Sequence, residues 1–474
     1  MNDLWHALMQ DRADATLAIG FFLAVGSTIH ILLGKREVAS AVGWIGLVWF
    51  APVFGATIYL LFGVNRVKRR ARLFRTSDGG SFGPPGRLSL PLSGELTALS
   101  RGIGRITERA LLAGTTVQTF QNGDEAYPPM LAAIAAAQRS IGLSSYIFRD
   151  DAWGGRFIEA LADAHHRGVA VRVLIDGIGG DWLRSPAYHR LVGMGVTAGR
   201  FMHSVLPWRM PFINLRNHRK LLVVDGVTGF TGGMNIADEN VMATQPAMPV
   251  QDLHFRIEGP VVAQLGDAFA QDWQLATGED LDGDTWSPPI APSPGALARV
   301  IDSGPDADVE KVEFAVLQAV SCAQTSIMVM TPYFLPDERL ITALSLAAMR
   351  GVAVDLVVPE ASNHRLVDWA SRPNSLPLLA DGVRIWRSPP PFHHAKLMVV
   401  DAEWCLIGSC NWDIRSFRLN FELCLEVYDR DLAGRLTAIM TEVRRSELTL
   451  AALDARSFLV RLRDAGARLM LPYL

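Results

Sequence analysis

The chain has 474 residues, 49% apolar and 20% charged. That excludes a disordered polymer and leaves room for two or three folded domains with a membranous addition. A net charge of −3 and an isoelectric point near 6.4 give no global basic field, so no nucleic-acid partner is expected. Four cysteines (Cys322, Cys405, Cys410, Cys424) lie in the second half without C-x-x-C spacing. They read as free, mostly buried thiols of a reducing compartment.

In chain order, residues 1–14 read as an N-terminal tail and residues 15–64 as two transmembrane helices. Residues 15–34 and 38–64 contain no Asp, Glu, Lys or Arg, and each run is long enough to cross a hydrocarbon core of roughly 30 Å. A cleaved signal peptide is disfavoured by the early Asp3, Asp11 and Asp14 and by the second apolar run. Pro52 should kink or bend the second helix. Residues 65–110 read as a basic juxtamembrane segment and linker. Arg66, Lys68, Arg69, Arg70, Arg72 and Arg75 outnumber Lys35 and Arg36 in the connecting turn, which predicts a cytoplasmic location for the bulk of the chain.

Beyond the linker the chain repeats itself. AAAQRSIGLSSYIF (135–148) corresponds to SCAQTSIMVMTPYF (321–334), and LADAHHRGVAVRVLID (161–176) to LSLAAMRGVAVDLVVP (344–359). Each unit has an Ala-rich helical stretch and then a β-branched run, so the fold class is α/β: two similar lobes, mixed sheets flanked by helices, at 111–290 and 291–445. The apolar and basic insert 203–216 reads either as a lipid-gripping loop or as a surface excursion. Residues 446–474 form an amphipathic C-terminal segment whose arginines and apolar residues suit an interfacial or a packed terminal helix.

The chemistry is concentrated in NHRKLLVVDGVTGFTGGMN (217–235) and HHAKLMVVDAEWCLIGSCN (393–411). His218, Lys220, Asp225 and Asn235 recur 176 residues later as His394, Lys396, Asp401 and Asn411. With only five lysines against 40 arginines in the whole chain, this placement marks a duplicated site. On an extended segment residues two apart share a face, so each histidine points with its lysine into one site. Asp225 and Asp401 complete the candidate catalytic set. They have opposite parity at the strand end and should orient or brace. Asn235, Asn411 and the intervening turns, with Ser409 in the second, can approach an anion. One imidazole can attack phosphorus while another protonates the leaving alkoxide, and lysines and amides hold the developing charge. One ring must then start neutral and the other charged, each with a carboxylate behind it. The candidates are Asp252, 34 residues past His218, and Glu422, 28 past His394. The arrangement requires no metal and no cofactor; His393 and His394 are adjacent on a strand and face opposite ways.

The paired H-x-K-x4-D elements resemble the phospholipase D superfamily. Together with PVFGATIYLLFG before the basic cluster, DLHFRIEGPVV, TPYFLPDERL and NWDIRSFRLNFE, the whole chain is similar to bacterial cardiolipin synthases. That resemblance implies His218 as nucleophile and His394 as acid. It also implies that Lys220, Lys396, Asn235 and Asn411 hold phosphate and that Glu422 orients a histidine. Asp252 follows PVQ where the family often has an aromatic residue, and Gly233 stands where the second repeat has Ser409. The implied reaction joins two phosphatidylglycerols into cardiolipin and glycerol at the bacterial inner membrane, through a phosphohistidine. A phospholipase D hydrolase, or a transferase using another phospholipid donor, is the alternative. The expected partners are phosphatidylglycerol, other phospholipids and the bilayer.

Overall fold

The computed structural model describes residues 2–34, 38–63, 92, 94–203, 215–290, 294–304 and 310–469. The chain divides into a unit at Met1–Ala71 and a larger one at Arg72–Leu474. The expected lipid-gripping insert falls mostly outside the described residues, as does the basic cluster after residue 63.

In the first unit one helix runs Asn2–Gly34, so the expected tail is helical. Its segment Thr16–Gly34 is, among the described residues, the helix long and apolar enough to cross a membrane. The second apolar run is not one straight helix. It breaks at Ala51 into Val38–Phe50 and Pro52–Ile58, followed by a wide turn at Tyr59–Gly63. Pro52 lacks the N–H that would continue the helix. A Cβ on Gly55 would lie 2.5 Å from the Leu47 carbonyl oxygen, so only glycine permits this close re-entry. Ala24, Ile31, Val48 and Tyr59 pack together, and His30 Nδ1 lies 2.7 Å from the Tyr59 hydroxyl.

The larger unit is built on a sheet of 16 strands among the described residues. Its first repeat contributes β1 (Leu112–Gln121), β2 (Ser140–Ser145), β3 (Ala170–Asp176), β4 (Thr197–Phe201), β5 (Leu221–Val224), β6 (Thr228–Gly232) and β7 (Leu253–Glu258). The second contributes β8 (Ala296–Ser303), β9 (Ser326–Met330), β10 (Ala353–Pro359), β11 (Arg384–Ser388), β12 (Leu397–Val400), β13 (Trp404–Gly408) and β14 (Asn420–Tyr428), with β15 (Ser446–Leu448) at its edge. The spatial order is β15-β11-β10-β9-β12-β13-β14-β8-β1-β7-β6-β5-β2-β3-β4, and the sixteenth strand, Arg216–Asn217, pairs with β14 off this path. Setting β15 aside, the order reads as one pattern and its mirror, meeting where β1 pairs with β8. The two repeats therefore do not keep separate sheets. Strand β8 pairs antiparallel with β1 on one side and with β14 on the other, so the edge each repeat would expose is closed by its partner.

Burial follows the same plan. The core that contains Phe255, Phe269 and Trp273 of the first repeat also contains Leu425, Leu432 and Leu436 of the second. The segment expected as linker up to residue 110 contains an amphipathic helix, Gly94–Thr107. It buries Leu99 and Ile103 against Val312, Val316 and Ala319 of the helix Lys311–Cys322. Leu96, Leu99, Ile103 and Ile106 recur at i, i+3, i+7 and i+10, a helical stripe present in the sequence that the linker expectation passed over.

Arg219 ties the repeats together. It lies between the two motif residues and so points the other way, where it is buried. Its guanidinium pairs with Asp272 at 3.1 Å and donates to the carbonyls of Glu422, Ala268 and Ser303. Arg219→Ala is expected to cost about 3 kcal/mol or more, because Asp272 and three carbonyls lose their donor. Thermal unfolding of the detergent-solubilised protein measures it; a loss below about 1 kcal/mol would remove Arg219 from this role.

Candidate active site

Two short extended segments decide where the histidines go. Arg216–Asn217 pairs in parallel with Asn420–Phe421 at the start of β14, and the His218 N–H donates to the Phe421 carbonyl at 2.9 Å. Phe392–His393 pairs in parallel with Val250–Gln251, and the His394 N–H donates to the Gln251 carbonyl at 2.7 Å. Each segment thus leaves its own repeat and runs beside the carboxylate of the other.

The pairing is crossed as a result. His218 Nδ1 lies 3.0 and 3.1 Å from the Glu422 carboxylate oxygens and 3.1 Å from the Ser409 carbonyl. His394 Nδ1 lies 2.8 Å from Asp252 Oδ2. Counting residues downstream suggests each histidine with the carboxylate of its own repeat; the sheet delivers the opposite. The neighbouring repeat reaches the ring through backbone pairing, a contact with no trace in local spacing.

Glu422 is completely buried, and its remaining capacity is filled by the Ser409 hydroxyl at 2.6 Å and Asn420 Nδ2 at 3.1 Å. Burial pushes its carboxyl up, but His218, Lys220 and the Ser409 hydroxyl outweigh it and hold it below the usual range. Burial likewise raises Asp252, while Lys396 and His394 bring it below an ordinary aspartate. The glycine that departs from the serine pattern has a steric reason. A Cβ on Gly233 would lie 2.4 Å from Asp252 Oδ1, so the shorter carboxylate closes onto bare backbone where Ser409 reaches out to Glu422.

Both lysines are buried. Lys220 Nζ donates to the His218 carbonyl at 2.7 Å and stands 5.2 Å from the Tyr146 ring centre. Lys396 Nζ lies 2.8 and 3.0 Å from the two ring nitrogens of His394. Burial lowers Lys396 to about 8 and Lys220 well below a free lysine, the latter reinforced by the other ammonium. Burial also lowers His218 to about 4, with Lys220 and Lys396 adding to it, and His394 to about 3, with Lys396 first. Burial therefore biases both rings towards the neutral form.

His218, His394, Asn235 and Asn411 line one cavity of about 330 Å³. Asn235 Oδ1 accepts from the Ile147 N–H at 3.3 Å, which leaves its amide hydrogens for another acceptor. Asp225 and Asp401, counted in the candidate catalytic set, do not line this cavity and hold the bracing position expected from their parity at the strand end. Asp225 accepts from the N–H groups of Gln138, Arg139 and Ser140 at 2.7–3.2 Å, and Asp401 from those of Gln324, Thr325 and Ser326 at 2.7–2.9 Å. They brace the starts of β2 and β9 at the end of β5 and β12 away from the histidines. Among the described residues no group of three or more His, Cys, Asp or Glu is placed to hold a metal ion, and the four cysteines are buried and unlinked.

The cavity has walls that spacing did not single out. Tyr146 packs edge-on to His218 at 5.0 Å between ring centres, and Tyr333 to His394 at 6.2 Å. Arg216 and Arg415 add two guanidinium groups to the lining. The tyrosines occupy matching places in the SSYIF and TPYF repeats, so the signal was present; neither arginine has a counterpart in the other repeat.

The comparisons with known proteins agree with this geometry. The family model described as cardiolipin synthase, PLD-like domain, matches residues 130–273 and 316–444, one stretch for each repeat, and the phospholipase D-nuclease N-terminal model matches residues 22–63. The chain is 34% identical to the cardiolipin synthase of Geobacillus kaustophilus over 457 residues, covering 94% of this chain and 91% of that protein. The chain belongs to the cardiolipin synthase family. Cardiolipin synthase A of Pseudomonas aeruginosa is also 34% identical, over 96% of this chain and 94% of its own. Among solved structures, phosphatidylserine synthase of Haemophilus influenzae shares the fold, with a TM-score of 0.61 at 15% identity over 80% of this chain and 100% of that one. This member of the cardiolipin synthase family is a phosphatidyltransferase of the phospholipase D superfamily and a bacterial membrane protein with apolar helices at its N-terminus.

Three buried imidazoles make this synthase-family fold sensitive to acid. His254, beside Asp252 and Lys220, is lowered to about 4 by burial, like His218. An unfolded histidine titrates near 6.5, so between about 6.5 and 4 the unfolded chain binds protons that the folded chain refuses. Stability is complete above the unfolded value and falls as the pH drops through this window, by about 2 kcal/mol per ring at pH 5. Thermal midpoints from pH 7.5 to 4.5 check the slope, and His254→Gln should flatten it.

Proposed function

We propose that the chain joins two phosphatidylglycerol molecules into cardiolipin and glycerol by a double displacement through a phosphohistidine on His218. One observation carries the reading: two histidines from different repeats line one cavity, each with a buried carboxylate behind Nδ1. Glu422 and the Ser409 carbonyl take the Nδ1 hydrogen of His218, so its Nε2 keeps the lone pair and attacks phosphorus. The phosphorus–oxygen bond to the departing glycerol breaks. His394 hands that glycerol its proton. The terminal hydroxyl of a second phosphatidylglycerol then loses its proton to His394, and its oxygen displaces Nε2 from phosphorus. One phosphodiester is consumed and one formed, so no nucleotide is needed.

The assignment of His218 as nucleophile and His394 as acid follows the family resemblance. Each lysine donates to the backbone carbonyl of its own histidine, and Lys396 also lies against the His394 ring. A phosphodiester anion between the rings offsets the two ammonium charges and lets His394 take up the proton it must deliver. Lys220, Lys396, Asn235 and Asn411 then hold the non-bridging oxygens. The basic run from Arg66 to Arg75 supports a cytoplasmic location for the catalytic unit, with both N-terminal apolar runs in the membrane.

The test is to incubate the reconstituted protein with labelled phosphatidylglycerol in bilayers and separate the products. Cardiolipin and glycerol in equal amounts, unchanged by EDTA, are expected. Phosphatidic acid as the main product would show that water is the acceptor and overturn the reading.

A further inference from the structure

The helix Phe458–Arg468 has two faces that ask for different surroundings. Its inward face packs on the helix Arg365–Ala380. Ala467 is buried with Leu335 and Ala370, and Asp464 is buried against Arg456, Arg463 at 2.8 Å and Arg372 at 3.6 Å. At about 100° per residue, Phe458, Leu462 and Leu469 fall within about 40° of one another, with Leu459 beside them, opposite Asp464 and Ala467. These four side chains are 74%, 57%, 79% and 74% exposed in that order. Arg461 and Arg468, both exposed, flank the stripe on one edge, while Arg463 on the other edge turns its guanidinium onto Asp464 and the Trp369 ring; the helix's one acid is the buried Asp464.

An apolar stripe edged by guanidinium groups matches the boundary between anionic headgroups and acyl chains, where stems lie in the apolar layer and charges reach phosphate. A second copy of the chain fits less well. Stable pairing needs roughly 800 Å² per partner, more than one stripe of this length offers, and two-fold pairing would set like-charged edges together. The position is also informative. The helix beneath carries Val367, which lines the cavity and packs in the same cluster as Ala467.

We propose that the helix Phe458–Arg468 is an interfacial membrane helix that seats the cavity wall on an anionic bilayer surface, in addition to the N-terminal apolar helices. The proposal rests on the chain being a phospholipid transferase and does not depend on which phospholipids it joins.

The test uses the full-length protein in nanodiscs, with an environment-sensitive fluorophore on Leu462→Cys and, as control, on the exposed Asp163→Cys. In discs containing phosphatidylglycerol the label at 462 should shift to shorter wavelength and be quenched about twofold by lipids carrying a spin label near the headgroup. In discs of phosphatidylcholine alone the effect should weaken, and the control label should not respond. A label at 462 that keeps its emission in water overturns the proposal. So does a shift that lipid quenchers do not reach and that persists in detergent, which would assign the stripe to a second copy. A second measurement uses Leu459→Glu with Leu462→Glu, both exposed and expected to leave the melting temperature unchanged. The phosphatidylglycerol fraction at half-maximal rate should rise at least about threefold with kcat retained, and Leu459→Phe with Leu462→Phe should restore it. An unchanged half-saturation would show that the helix does not serve the cavity. The fluorescence needs no turnover, so it stands or falls separately from the cardiolipin reaction.

Discussion

His218→Ala and His394→Ala are each expected to lower transfer by at least about 10⁴-fold, because the nucleophile and the proton donor act as one unit and removing either stops the cycle. The two variants should nevertheless differ. A substrate whose leaving group needs no proton, such as a nitrophenyl phosphodiester, bypasses the acid in the first step. With it, His394→Ala should still form a labelled, acid-labile phosphoenzyme, whereas His218→Ala should form none. Reversal of that pattern would exchange the roles proposed for the rings. Comparable label in both variants would defeat covalent catalysis by either one. The carboxylates extend the experiment. Glu422 touches the His218 ring and Asp252 the His394 ring, so Glu422→Gln should impair phosphoenzyme formation and Asp252→Asn the steps that need a proton.

Lys220→Met and Lys396→Met are expected to lower transfer by about 10²- to 10³-fold while leaving the fold as stable or more so. The sign of the stability effect follows from burial. Both ammonium groups sit in the interior with depressed proton affinity, Lys396 at about 8, so the folded chain bears a desolvation cost that an apolar side chain of similar length removes. Catalysis gains from the same cost. A charge already stripped of water needs no reorganisation when negative charge builds on the phosphoryl oxygens. Unfolding midpoints and transfer rates measured on the same preparations test both halves. A lysine variant that loses stability along with activity would turn the lysines into structural residues.

These expectations depend on geometry that local reasoning reached unevenly. The crossing of each histidine to the other repeat's carboxylate is the clearest gap. Asp252 and Glu422 are legible as candidates because a neutral, oriented imidazole needs a carboxylate behind it. Their partners are set by the pairing of Arg216–Asn217 with β14 and of Phe392–His393 with Val250–Gln251. Those pairings are two residues long and join segments about 140 to 200 positions apart, so no periodicity announces them. Gly233 illustrates the same limit. As a departure from Ser409 it reads as a missing hydroxyl; in space it is the clearance that Asp252 requires.

By itself the sequence determined what repeats and which atoms are reactive. Two copies of His and Lys at one spacing, β-branched runs after Ala-rich helices, and apolar stretches before an arginine cluster are all local patterns, governed by backbone period and side-chain chemistry. Tertiary structure alone decided which copy serves which. It joined the repeats through β1, β8 and β14 and gave the helix Gly94–Thr107 its packing partner in the core. It also buried both imidazoles, which biases them towards the neutral form. The physical reason is common to all of these: hydrogen-bonded edges, buried charges and packed faces are satisfied by partners distant in the chain, and a pattern read along one segment carries no record of the partner that completes it.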